Sequence, residues 1–335
     1  MDPVSQGALG AIASENIARR KHLAIAAILG AMAGMAPDLD MLISSDEDPL
    51  LFLEYHRQFT HSLIFIPVGG LLCALLLHQV SKRWELTFWE TFKYCCAGYA
   101  THALLDSCTS YGTQLFWPFS DYRVSWSTIS IVDPLFTVPI LTLVVFAALR
   151  KQRGFARAAA AWVFIYLGLG LIQKERAETA GMELAQSRGH DPVRLEAKPG
   201  FGNILLWKVV YEAGDRYHVD AIRAGLETKV YAGTSVAKLD VKRDFPWLDP
   251  ASQQARDIER FRWFSDGMVS VDPEVPNRII DVRYSMLPNE IHALWLIELD
   301  RNAGPEDHVG YIHLHGSSEG AVDKLKAMLL GLDLN

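Results

Sequence analysis

"PDLDMLISSDEDPLLFLEYHRQFTHSL", residues 37–63, lies between two strongly apolar stretches, "LAIAAILGAMAGMA" (23–36) and "SLIFIPVGGLLCALLL" (62–77). It places Asp38, Asp40, His56, Arg57 and His61 at the edges of segments that otherwise read as membrane spans. Further apolar runs follow at 135–149, "LFTVPILTLVVFAAL", and 158–172, "AAAAWVFIYLGLGLI", with a more mixed one at 87–107. Each clean run is about 14 to 16 residues, short of the ~18–20 that cross a bilayer. Spanning length is reached only by including polar residues, and in four of the runs these gather at one end. Polar groups in a span are costly and face the bundle interior or a water-filled cavity.

Basic residues give an orientation. Arg19, Arg20 and Lys21 precede the first clean run, Lys82 and Arg83 follow the second, and Arg150, Lys151, Arg153 and Arg157 separate the last two. The alternate connections, 44–60 and 108–128, carry only Arg57 and Arg123 against five acidic residues. The positive-inside rule puts the basic turns in the cytoplasm. The expected topology is five spans plus a short helix over 4–18, with the C-terminal half outside the cytoplasm. The N-terminus lacks the features of a cleaved signal peptide.

Two halves are expected: residues 1–175, an all-α multi-pass helical bundle, and 176–335, a small α+β soluble domain. Alternating strand-like segments appear at 203–213, 216–222, 278–287, 293–300 and 310–316. Helices are expected near 249–267, with Asp249 at its cap, and at 318–332. The net charge of −7 and the lack of a basic face interleaved with aromatics exclude nucleic acid as a partner. Cys73, Cys95, Cys96 and Cys108 all fall in the apolar half and read as small buried hydrophobes.

On this topology Asp38, Asp40, His56, His61, His102 and Asp106 converge on the outer side, opposite the basic turns, and Asp133 opens the fourth span there. His102 and Asp106, four apart, share a helical face. Imidazole and carboxylate together suit a divalent transition metal, zinc foremost with manganese or iron as alternatives, as one or two ions. Such an ion activates water. Arg57 suits an anionic substrate group, Thr60 and Ser62 suit ligand orientation, and Asp133 is a candidate proton acceptor. Each feature has a structural explanation too: Asp-x-Asp is often a cap, and His-x-x-x-Asp a satisfied pair. His78 reads as structural, and the "HLH" at 313–315 as solvated strand positions.

"MDPVSQGALGA", "APDLD", "HRQFTHSL", "THALLDSCTSYGTQLFWPFS" and "IVDPLF", in this order, resemble the YdjM/YfhP family of bacterial inner-membrane metal-dependent hydrolases. That resemblance implies a multi-helix membrane domain with metal ligands at Asp38, Asp40, His56, His61, His102 and Asp106. Tyr111, Gly112, Gln114 and Asp133 match other recurrent motifs. The family is distantly similar to zinc-dependent phospholipase C, which implies a phosphate-ester substrate, lipid-linked or amphiphilic, arriving from the bilayer. One position departs: a Thr-His pair of the family is Ser5-Gln6 here, a weaker ligand. The rival to a hydrolase is a non-catalytic membrane scaffold with a structural metal and a partner-binding C-terminal domain. A transporter is a third reading, disfavoured because the ionisable groups gather at one face.

Overall fold

The computed structural model describes residues 1–314 and 320–334. The chain clusters into two compact units: Met1–Ile43, Tyr55–Ile172 and Phe201–Asn203 form the first, and Ser44–Glu54, Gln173–Gly200 and Ile204–Asn335 the second.

The chain opens with helices, most of them in the first unit. Helix α1 (Pro3–Ile17) starts at Asp2, whose carboxylate accepts from the Ser5 amide, and Pro3 sits in its first turn. Helix α2 (Leu23–Met35) runs into a 3₁₀ segment, Ala36–Leu42. A one-turn helix α3 (Leu51–Tyr55) leads to short 3₁₀ turns at Phe59–His61 and Leu63–Phe65. Then come α4 (Ile66–Ser81), α5 (Phe88–Ser107), α6 (Pro134–Arg150) and α7 (Arg153–Ser187). A capping box of Thr87 and Glu90 fixes the start of α5.

Three segments are long and apolar enough to cross a membrane: Arg20–Leu42, Leu63–Trp84 and Arg153–Ser187. Helix α6 is apolar but shorter, and α5 carries Glu90, Lys93, His102 and Asp106 along its 20 residues. Apolar side chains point outward: Leu72, Leu75 and Leu76 on α4, Leu135, Val138 and Leu149 on α6, Phe164, Leu171 and Ile172 on α7. An exposed apolar surface on this scale marks contact with another apolar phase. The interior is built by close approach of α1, α2 and α5. A Cβ on Gly30 would lie 2.3 Å from the Gly10 carbonyl oxygen, and one on Gly98 2.3 Å from that of Gly30. Only glycine lets these backbones meet.

Helix α7 passes straight through the change of composition at 175–176. The helix continues unbroken for 35 residues to Ser187. Lys174, Glu175, Arg176 and Glu178 are charged but strong helix formers, so polarity changes while conformation does not.

The second unit is α+β, with two four-stranded antiparallel sheets. One contains β1 (Arg194–Pro199), β2 (Leu206–Ala213), β3 (Arg216–Ala224) and β4 (Thr228–Ala237) in that order. After α8 (Val241–Asp244) and α9 (Gln253–Phe264) comes the other: β5 (Val269–Val271), β6 (Arg278–Asp281), β7 (Trp295–Glu298) and β8 (Gly310–His313). Helix α10 (Ala321–Leu330) packs Ala321 and Met328 with Leu206, Ala221 and Tyr231. The expected cap of α9 shifts from Asp249 to Ser252, whose hydroxyl accepts from the Ala255 amide. Of the "HLH" pair, His313 closes β8 and His315 lies outside the described residues.

Candidate metal centre

The 3₁₀ segment after α2 sets up the site. With ~3 residues per turn, positions two apart point about 240° apart, so Asp38 and Asp40 serve different groups. Asp38 faces His61 and His102, with Asp38 Oδ1 3.6 Å from His61 Nε2 and 3.3 Å from His102 Nε2. Asp40 turns the other way. Its Oδ1 is 2.8 Å from His56 Nδ1, and its Oδ2 accepts from the Thr60 hydroxyl at 2.6 Å and the Arg57 amide at 3.1 Å.

His61 and His102 are fully buried. His102 Nδ1 donates to the Gly34 carbonyl at 2.5 Å. His61 Nδ1 lies 3.1 Å from Asp40 Oδ2 and 3.0 Å from Thr60 Oγ1. With both δ nitrogens held outward, the ε nitrogens turn inward and lie 2.9 Å apart. Asp106 Oδ2 completes the set, 3.3 Å from His61 Nε2 and 3.6 Å from His102 Nε2.

Asp38, His61, His102 and Asp106 therefore aim four donor atoms at one point, with all donors within 4.8 Å of one another. Five of the six separations are those just given, 2.9–3.6 Å. Tetrahedral zinc with ligand bonds of about 2.0–2.1 Å requires donors roughly 3.3–3.4 Å apart. Two imidazole nitrogens beside two carboxylate oxygens at this spacing suit a shared cation. The residues fit a small divalent ion. Asp38, Asp40 and His56 form a second, more open group of three.

The surroundings hold these side chains in place. Gln6 Nε2 donates to Asp106 Oδ1 at 2.9 Å and the His102 carbonyl at 3.3 Å, while its buried Oε1 has no partner. Glutamine at the departing position thus holds the Asp106 carboxylate in place. The Met1 amino group also reaches Asp106 Oδ1, at 2.5 Å. Arg57 Nε lies 3.0 Å from Asp106 Oδ2, an ion pair without hydrogen-bond alignment. Its Nη1 donates to Thr109 Oγ1 at 3.0 Å, and its guanidinium sits 4.9 Å from the centre of the Tyr111 ring. Arg57 adopts φ 65°, a left-handed conformation costly for a long side chain and typical of functional sites. The Gln114 amide donates to the Arg57 carbonyl at 2.9 Å, tying the 108–128 connection to it.

Two expected site residues lie elsewhere. Ser62 Oγ bonds back to the Phe59 carbonyl at 2.7 Å, closing a turn. Asp133 caps α6: Oδ1 accepts from the Leu135 and Phe136 amides, and Oδ2 from the Tyr166 hydroxyl at 2.7 Å. With both oxygens taken up, it is a helix cap rather than a proton acceptor. Sequence reasoning passed over Thr109, the Gly34 carbonyl and Tyr99, whose hydroxyl donates to the Thr60 carbonyl at 2.8 Å. Tyr99 stands one turn before His102 on α5, which is the signal that was available.

The family model for the YdjM inner membrane protein matches residues 1–177, more than half of the 335. The chain belongs to the YdjM inner membrane protein family. Among its relatives, inner membrane protein YbcI of Escherichia coli (strain K12) is 32% identical over 107 residues, covering 30% of this chain and 60% of YbcI. YfhP of Bacillus subtilis (strain 168), an uncharacterized protein, is 25% identical over 140 residues, covering 41% of this chain and 42% of YfhP. The chain thus spans less than two thirds of either relative. No solved structure matches it. The YdjM match ends inside α7 and takes in every residue of both candidate groups.

Proposed function

We propose that this YdjM-family protein is a membrane-embedded, metal-dependent hydrolase of phosphate esters, its ion held by Asp38, His61, His102 and Asp106. The supporting observation is the convergence of those four donors, from three separate segments, all within 4.8 Å of one another and with both imidazole ε nitrogens turned inward. When bound, a divalent ion, zinc foremost for this donor set, supplies a Lewis acid and lowers the pKa of its water toward neutrality.

The chain's own groups do the rest. Asp40 and the Gly34 carbonyl fix the tautomers of His61 and His102. Arg57 brings a fixed positive charge beside Asp106, where an anionic ester oxygen is drawn. His56 is 13% exposed and held through Nδ1 by Asp40, so its Nε2 is placed to move a proton to or from solvent. The outward aromatics Phe116, Phe119, Tyr122 and Trp126 suit a bilayer interface, and favour a lipid-linked or amphiphilic substrate entering from the side. We place α2, α4, α5, α6 and α7 across the inner membrane, with the second unit outside the cytoplasm. Residues 44–54, the connection opposite the basic turns, belong to that unit and must share its side.

One observation favours a second reading. Three of the four ligands are fully buried and only Asp38, 21% exposed, borders solvent. A closed four-ligand site is typical of structural zinc, in which case the protein is a scaffold. The test is metal analysis of the purified protein with phosphatase and phosphodiesterase assays on wild type and His61→Ala. Bound metal with ester turnover lost in His61→Ala supports the hydrolase. Bound metal without turnover of any ester supports the scaffold, and no bound metal sinks both.

A further inference from the structure

Residues 44–54 join Asp40 to His56, two members of the open ligand group, yet they pack with α9 and β8 in the second unit. One side chain grips them. Arg260 on α9 donates through Nη1 and Nη2 to the two carboxylate oxygens of Asp48, at 2.9 and 2.8 Å, and through Nε to Glu54 Oε1. Its Nη1 also bonds Asp257 Oδ1 at 2.9 Å. Asp257 is fully buried and anchored from its other oxygen by His308 Nδ1 at 2.9 Å and the Val309 amide at 3.1 Å. Apolar contacts reinforce the hold: Leu50 and Leu53 are buried, and the Phe52 ring meets the Tyr311 ring edge-on at 5.2 Å.

A lone exposed ion pair would mean little. This one is bidentate, joins three carboxylates and rests on a buried aspartate, an arrangement with defined geometry. It grips the loop near both ends. Only residues 41–47 separate Asp40 from Asp48, and Tyr55 alone separates Glu54 from His56. A trans chain reaches at most ~3.6 Å per residue, so displacement at Glu54 passes almost undiminished to His56 and the Arg57–His61 segment.

We propose that Arg260 is a positioning residue for the metal centre. By fixing the 44–54 connection it sets the separation of the Asp38–Asp40 segment from the His56–His61 segment, so the second unit governs how tightly the first holds its ion. The inference rests on the metal centre proposed above and adds its regulation.

The test uses the full chain in nanodiscs, with zinc competition titration and amide hydrogen exchange read on the same samples. The variants are Arg260→Gln, the loop-side pair Asp48→Asn with Glu54→Gln, and all three combined. Each of the first two should weaken zinc binding about tenfold, the lower end of what losing a ligand's own hydrogen-bond partner costs. The combined variant should be no weaker than either, because they break one contact. Exchange should quicken in 36–43 and 55–61 as well as in 44–54. Additive losses, or quickening confined to 44–54 with zinc affinity unchanged, would overturn the proposal. A wild type that binds no zinc defeats the proposed function, while the exchange pattern still decides whether Arg260 orders the flanking segments. Should Arg260→Gln not fold, Asp48→Asn alone carries the same comparison.

Discussion

His61 and His102 meet through their ε nitrogens because their δ nitrogens are held outward by Asp40 and by the Gly34 carbonyl. This separates two grades of effect. Replacing a donor, as in Asp106→Asn, should lower zinc affinity by more than about a hundredfold, whereas Thr60→Val should cost about tenfold, within the range of outer partners. Competition titration with a chromophoric chelator measures both. The second unit offers a different residue-scale prediction. Lys208 on β2 is buried, its ammonium bonded to Ser285 Oγ and the Glu290 carbonyl, each at 2.7 Å. Burial, opposed by Asp281 and Glu290, pushes its pKa down from 10.5 to about 7. Between those values the unfolded chain binds a proton that the folded chain does not. Stability should therefore rise with pH from about 7 toward 10.5, by up to about 1.4 kcal/mol per pH unit, and show no such slope below 7. Denaturation midpoints at pH 6.5 and 9 should differ in wild type and converge in Lys208→Met. The aspartates and histidines that converge in the candidate group were legible as residue types at segment ends. Asp133 misled because a carboxylate before Pro134 looks the same in sequence whether it caps a helix or faces a substrate. Nothing in the sequence distinguished Ser62 from Thr60, since the turn at Phe59–His61 decides which hydroxyl reaches a ligand.

At the scale of elements, the crossing of α1, α2 and α5 sets the separation of the ligand-bearing segments. Gly98 faces the Gly30 carbonyl so closely that Gly98→Ala must push α5 away, at a cost of about 1–3 kcal/mol typical of overpacking. Gly168 on α7 has nothing within 4 Å of an added Cβ. Gly168→Ala should be neutral or stabilising by up to about 1 kcal/mol, as expected for an uncrowded helix position. Thermal melts of the two variants side by side check the contrast. Strands β2, β3, β6, β7 and β8 were legible from alternation. Strand β1, "RLEAKP", hid behind its charge, and β4, "TKVYAGTSVA", behind small residues on an edge mostly open to solvent.

For the whole molecule, the basic turns and the 44–54 connection give opposite assignments of side. A phosphatase fused after residue 335 should be active and a fluorescent protein at the same point dark, with the reverse for fusions after Lys151. Matching signals at both points would remove the five-span arrangement. The change of composition near 175 was legible in the sequence, but not that one helix runs through it to Ser187, because Lys174, Glu175 and Arg176 change the polarity and not the conformation. That helix has a consequence for anyone re-cutting or grafting the protein. A family boundary at 177 falls in mid-ladder, where truncation strands four carbonyls. Inserting one residue there would rotate all that follows by about 100°. An insertion of seven residues, nearly two full turns, brings the helix's own faces back to within about 20° of their starting direction.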